Sequence, residues 1–334
     1  MFVKKKIVSI ISKIRTVFFF FVPTRVADKT VFGEGLNVLN YPEFVTITKI
    51  PNLIGNYYEC FDAVICPKTG LAFGRNGFYV LDKAPYSHHS SKFRPSSLKF
   101  KVRIAKAISY LGPFMNNYYH FLQHIIFTAP LINLKYKNYV LLIPEEIEKK
   151  KEYIVALNTY FPLNKIIFCK NALLVDHLIK LDITVTEESL KLFKKFTKTL
   201  NLPLKKSYPD KIFVARNNAK RRILKNQSEI NILANSFGYK LVDCSNLSFI
   251  DQIGCFIYAK KIIGVHGAAL GNIFFSENLK TIIEILSPRD YAPIYEGIAK
   301  VTNVNYFSIT GVEINKQEFA IDIEEVKKIL LICQ

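Results

Sequence analysis

From Lys211 to Ile309 the chain alternates short apolar runs with helical segments, and few architectures accept that pattern. The runs 211–215, 239–243, 261–265, 281–286 and 304–309 read as strands. Helices are expected at 227–236, at 248–260, from about 268, and at 291–301. Apart from their first residues and Glu284, the runs 211–215, 261–265 and 281–286 carry no polar side chain, and so lack the polar alternation of a half-solvated strand. Such strands belong in a parallel sheet with helices on both faces, an α/β architecture. Ligands of these sheets sit beyond the carboxyl ends of the strands.

With 334 residues the chain exceeds one ordinary core, so a second domain is expected in the first half. There, 31–110 reads as β-prone segments separated by turns, with a turn at 74–77 before a strand at 78–81. A helix is expected at 117–129, ended or kinked by Pro130. A strand at 139–143, a charged helix from Pro144, a strand at 165–168 and a basic helix at 187–201 follow. Pro203 and Pro209 bracket a helix-hostile stretch, and the boundary is placed there. The expected organisation is an N-terminal segment 1–30, a first domain 31–205, a second domain 206–312 and a closing helical segment 313–334.

The formal charge of +19 suits an anionic partner, but richness in Lys, Asn and Ile also accompanies AT-rich coding. Residues 1–30 concentrate the excess, with Lys4, Lys5, Lys6, Lys13, Arg15, Arg25 and Lys29 against Asp28. Ile7, Ile10, Ile11, Ile14, Val17, Phe18 and Phe21 follow helical spacing. A basic amphipathic helix of this kind suits an anionic membrane interface, the other reading being a helix docked on its own protein. No stretch is long and apolar enough to span a bilayer, and no clean secretory signal is present. The expectation is a cytoplasmic protein, peripheral on the inner face of the membrane. The six cysteines make no CxxC pair and read as buried free thiols. A nucleic-acid role for the basic 191–222 stretch is disfavoured, because Phe193 and Phe196 fit the core face of a helix.

Three constellations carry chemistry. The strand 261–265 runs into His266, Gly267, Ala268 and Ala269, where small residues and a helix start suit phosphate; a tight, close-packed βα turn is the other reading. The spacing is not that of a dinucleotide fingerprint. Arg216 ends the strand 211–215, and Arg221 and Arg222 follow in the next loop, where guanidinium forks suit a diphosphate. Asn226 to Glu229 and Ser248 with Asp251 read as helix caps. In the first half, His120 and His124 share a helix face without a nearby acid, so a zinc site is not expected. His120 is a candidate general base, with Asp176 and Glu59 as rivals. Glu284 lies inside an apolar strand and needs a partner there, a role that ribose hydroxyls or a nearby Lys or Arg would fill. No DxD sequence of the metal-holding kind occurs in a suitable place.

In this order and spacing the set resembles glycosyltransferase family 61. The resemblance covers Lys211 to about Ile309 through Arg216, Arg221, Arg222, Asn226, Ser248, Phe249, Gln252, His266, Gly267, Ala268, Asn272 and Glu284. In the first half it covers Asn117, Tyr118, Tyr119, His120 and Phe121. Gln227 stands where the family usually has Glu. The resemblance implies a GT-B fold, two Rossmann-like domains with the active site in the cleft between them. It implies inverting transfer from a nucleotide sugar to a saccharide or lipid-linked acceptor, with no cofactor and no obligatory metal. The chain is most similar to bacterial members that build capsular or other surface polysaccharide; a non-catalytic scaffold of the same fold is the alternative. His120, His266 and Arg216 would then be catalytic. Arg216, Arg221, Arg222, His266, Gly267, Ala268, Ala269, Asn272 and Glu284 would bind the donor, with Glu284 on the ribose.

Overall fold

The computed structural model describes residues 45–49, 55–67, 70, 72–74, 80–81, 102–112, 114–183, 185–217, 219–289 and 293–333. The basic segment 1–30, and most of the turn and strand expected at 74–81, lie outside the described residues.

The first half builds one mixed sheet from β1 (Val45–Lys49), β2 (Gly55–Ile65), β3 (Ala72–Gly74), β4 (Val80–Leu81), β5 (Arg103–Ser109), β6 (Val140–Pro144), β7 (Ile166–Cys169) and β8 (Leu173–Ile183). Its order is β4-β3-β2-β8-β5-β6-β7, with β1 also paired to β2. The β8-β5-β6-β7 half is parallel, and β1 to β4 extend it as antiparallel neighbours.

The second half holds β9 (Lys211–Val214), β11 (Lys240–Val242), β12 (Lys261–Val265), β13 (Thr281–Leu286) and β14 (Asn305–Thr310) in one fully parallel sheet. The expected strands are there, and the order is β11-β9-β12-β13-β14. All six residues of β13 are buried, Glu284 among its isoleucines and leucine included. The chain passes from β9 outward to β11 and then returns to the other side of β9 as β12. The topological switch point therefore lies between β9 and β12. A small third sheet joins β10 (Ile223–Leu224), β15 (Val312–Glu313) and β16 (Glu318–Ala320) in the order β10-β16-β15. The segment after 312 is thus a hairpin as well as the helix Ile323–Ile332.

One apolar core runs between the two large sheets, from Ile108 and Ile179 through Phe193 and Phe249 to Ile212 and Ile282. The helices Lys151–Tyr160, Glu187–Thr199 and Phe249–Tyr258 meet in it. The Glu152 carboxylate accepts the Phe249 backbone N–H at 2.5 Å, so a first-half side chain caps a second-half helix. The cysteines are free, and burial pushes the thiols of Cys60, Cys169 and Cys244 up to about 12. Among the described residues no helix is long and apolar enough to cross a membrane.

Three local expectations are corrected. Pro130 does not end a helix: Tyr118–His120 is one α-turn, Phe121–Ile125 is π-helical, Ile126–Thr128 is 3-10, and Pro130 sits in the first turn of the helix Ala129–Lys135. Proline lacks only an N–H that a first turn leaves without an intrahelical acceptor, so it starts this helix. The helix expected from about 268 is the 3-10 helix Ala268–Phe275. Asn226 does not cap its helix through its side chain; its amide holds both backbone groups of Ile321, at 2.7 and 3.2 Å. Ser248 does cap, accepting the Asp251 N–H at 3.1 Å.

Candidate active site

The carboxyl ends of β9 and β12 bring Arg216 and His266 together at the switch point. The Arg216 guanidinium donates to the His266 carbonyl through Nη1 and to the Arg221 carbonyl through Nη2 at 3.4 Å. Gln227 Oε1 accepts the Arg216 backbone N–H at 3.1 Å, and its amide reaches Asn217 Oδ1 at 2.7 Å. The acceptor oxygen is one that a glutamate would supply equally, which accounts for Gln227 serving at this position.

Gly267 has an extended backbone, so no conformational demand requires glycine. Close approach does: a Cβ there would fall 2.7 Å from Arg216 Nη1. The glycine of the turn makes room for an arginine of the neighbouring strand. Gly264 serves similarly inside β12, where a Cβ would meet the Leu270 side chain at 2.6 Å and hold the 3-10 helix off the sheet.

His266 is buried, and its Nδ1 lies 2.5 Å from Glu284 Oε1. Glu284 is 0% exposed, and its other oxygen accepts the Tyr306 hydroxyl at 2.6 Å. The carboxylate expected to hold a ribose is instead enclosed, with both oxygens engaged by protein groups. Tyr295 covers the same turn; its hydroxyl donates to the Gly267 carbonyl at 2.6 Å and its ring lies 5.5 Å from that of His266. Burial raises the Tyr295 pKa, with Tyr119 and Glu284 adding to the rise; Arg216 and Arg222 oppose it. Arg222 adopts a left-handed backbone with φ 57°, and Arg221 is exposed. Ala268 and Ala269, partly exposed, open the 3-10 helix.

Asn272 lies in the interior and not at the turn's mouth. Its Oδ1 accepts the Tyr118 hydroxyl at 2.8 Å, and its amide donates to Gln252 Oε1 at 3.2 Å and to the Ala269 carbonyl at 3.0 Å. The Gln252 amide in turn holds the Cys244 and Leu247 carbonyls. This network fastens the Tyr118–His120 turn to the second half. Tyr119 completes the contact, 5.9 Å from Tyr295 and 6.0 Å from Phe274.

His120 is linked to the switch-point region by the ring of Tyr119, which lies 5.6 Å from its own and 5.9 Å from that of Tyr295. Its own ring neighbours are Phe114, Tyr119 and His124, the last stacked at 5.6 Å. Of the rival bases, Glu59 pairs with His177 at 2.9 Å and Asp176 with Arg103 at 2.6 Å, both in the middle of the mixed sheet. Neither lies at a strand's carboxyl end. Tyr295 and Tyr306 were not legible as site residues, because each reads as an ordinary core aromatic. Among the described residues no three His, Cys, Asp or Glu side chains gather as a metal ion requires.

Burial lowers the His120 pKa, and burial with the neighbouring His120 charge takes His124 to about 4. In the unfolded chain a histidine titrates near about 6.5. Between those values the unfolded state binds a proton that the folded state refuses, so stability falls as pH falls from about 6.5 to about 4. The loss assigned to His124 is on the order of 2–3 kcal/mol. The His124→Gln variant is expected to lose less stability between pH 7 and pH 4.5 than the parent protein. Urea midpoints at the two pH values check this, and equal losses would contradict it.

Residues 118–283 match the family model described as Glycosyltransferase 61. No curated protein matches the chain.

Proposed function

As a member of glycosyltransferase family 61, which the match over residues 118–283 shows it to be, this chain is a transferase, and we propose that it moves a sugar from a nucleotide-sugar donor with inversion and without an obligatory metal. The acceptor in this reading is a saccharide or lipid-linked saccharide of a surface polysaccharide. The two sheets act as the halves of a GT-B arrangement, and the basic segment 1–30 holds the enzyme at the inner membrane face.

The observation that carries the reading is the meeting of Arg216 and His266 at the switch point of a parallel sheet, where ligands of this architecture bind. An acceptor hydroxyl attacks the anomeric carbon as the bond to the diphosphate oxygen breaks. The electron pair passes to the diphosphate, whose growing charge needs fixed donors. Arg216 supplies a guanidinium, His266 an imidazole N–H, Arg221 and Arg222 further positive charge, and the 267–270 turn backbone N–H groups. His120 is the proposed base; its lowered pKa keeps it neutral and able to accept a proton at pH 7.

Thermal-shift measurements with uridine, guanosine, cytidine and thymidine diphosphates test the donor site, because only a bound ligand raises the melting temperature. One nucleotide is expected to stabilise the protein, and to do so equally in excess EDTA. Turnover of the matching nucleotide sugar should also survive EDTA. No stabilisation by any nucleotide would overturn the donor assignment; loss of turnover restored by magnesium or manganese would overturn the metal-free chemistry.

A further inference from the structure

We propose that Glu284 and Tyr306 are positioning residues that fix the tautomer of His266 and present its Nε2 to the diphosphate. The inference deepens the reading of His266 as a ligand-facing group and rests on it.

Glu284 sits fourth in β13, opposite Gly264 of β12 and Ser308 of β14. A fully buried carboxylate on a central strand is costly unless every oxygen is satisfied. Here one oxygen takes the Nδ1 edge of His266 at 2.5 Å and the other takes the Tyr306 hydroxyl at 2.6 Å. Tyr306 comes from β14, one strand further from the switch point. Three neighbouring strands thus converge on one imidazole.

The backbone holds the same residue. His266 N–H donates to the Ile285 carbonyl at 2.8 Å, its carbonyl accepts from Arg216, and Tyr295 stands over the ring. With the ring position fixed, the proton position remains to be set. A carboxylate only accepts, so Nδ1 must carry the hydrogen. That leaves Nε2 for the ligand. In the neutral Nδ1–H ring Nε2 accepts a hydrogen bond, and in the charged ring it carries a hydrogen and donates one. The arrangement follows the logic of a carboxylate that orients a working histidine in metal and hydrolase sites.

The test uses the full chain with 15N-labelled histidine. The His266 signals are assigned from their loss in His266→Asn. The parent protein is expected to show His266 protonated at Nδ1 near pH 7.5. In Glu284→Gln, whose amide can donate as well as accept, the Nδ1–H form is expected to give way in part to Nε2–H. A parent protein with His266 in the Nε2–H form, or a Glu284→Gln variant with an unchanged tautomer, would overturn the proposal.

Calorimetry with inorganic pyrophosphate gives a second readout, independent of the unidentified nucleotide. Glu284→Gln is expected to bind it about tenfold or more weakly, as outer-shell substitutions commonly do. Tyr306→Phe, which keeps the volume, should weaken it less. Unchanged pyrophosphate affinity in a folded Glu284→Gln protein would also overturn the proposal. Absence of pyrophosphate binding by the parent protein would count against the donor site itself, while the tautomer measurement still decides the role of Glu284.

Discussion

Arg216→Ala is expected to lower sugar transfer by about 100-fold or more, the loss that follows from removing one preorganised donor from a developing anion, worth on the order of 3 kcal/mol. The structure gives a reason to expect the full effect. The guanidinium is fixed by the His266 and Arg221 carbonyls, so its geometry does not have to be found anew at each turnover. Gly267 leaves no slack around it. Arg216→Lys should recover little, because a single ammonium cannot bridge two carbonyls and a diphosphate as a planar fork does. His266→Ala should fall by a similar factor. Single-turnover rates with the matched donor, alongside circular dichroism to verify folding, check both. Rates near the parent value in folded variants would remove these residues from the chemistry.

The largest expected loss of stability comes from Asn272→Ala. The side chain is wholly buried and answers the Tyr118 hydroxyl, the Gln252 carbonyl oxygen and the Ala269 carbonyl. Truncation strands at least two of these groups away from water, at about 1–3 kcal/mol each. A total of about 3 kcal/mol should lower the melting temperature by roughly 4–5 °C, because the entropy of unfolding grows with chain length. Tyr118→Phe removes only one partner and should cost less. The two substitutions together should cost less than their sum, because they share one hydrogen bond. Additive losses would show that the Tyr118–Asn272 contact carries no energy of its own.

The second-half sheet was legible because each of its strands declares itself locally. The strands Lys261–Val265 and Thr281–Leu286 fall on the residues read from the apolar pattern, as does the helix Gln227–Ser236. The helix around Pro130 and the start at Ala268 were harder. Whether a backbone turns as α, π or 3-10 depends on what its side chains must reach. Tyr118 and Tyr119 are pulled to Asn272, Phe274 and Tyr295, all far along the chain.

The same division runs through the site. Arg216 and His266 could be placed from sequence, since each ends an apolar strand and parallel strands put their carboxyl ends on one edge. Which strands are neighbours could not, because the return from β11 to β12 across β9 is a choice of packing. Only that choice sets Arg216 against the His266 carbonyl. Glu284 shows the limit most plainly. Its burial in an apolar strand called for a partner, and the sequence offered sugar hydroxyls or a basic residue equally well. The pairing of β13 with β12 and β14 decided it, by bringing an imidazole and a phenol within hydrogen-bond distance of a carboxylate that water cannot reach. Local pattern determines which residues are strand and which are buried; the partner of a buried charge is a property of strand order, and strand order is fixed only when the faces of distant segments are packed together.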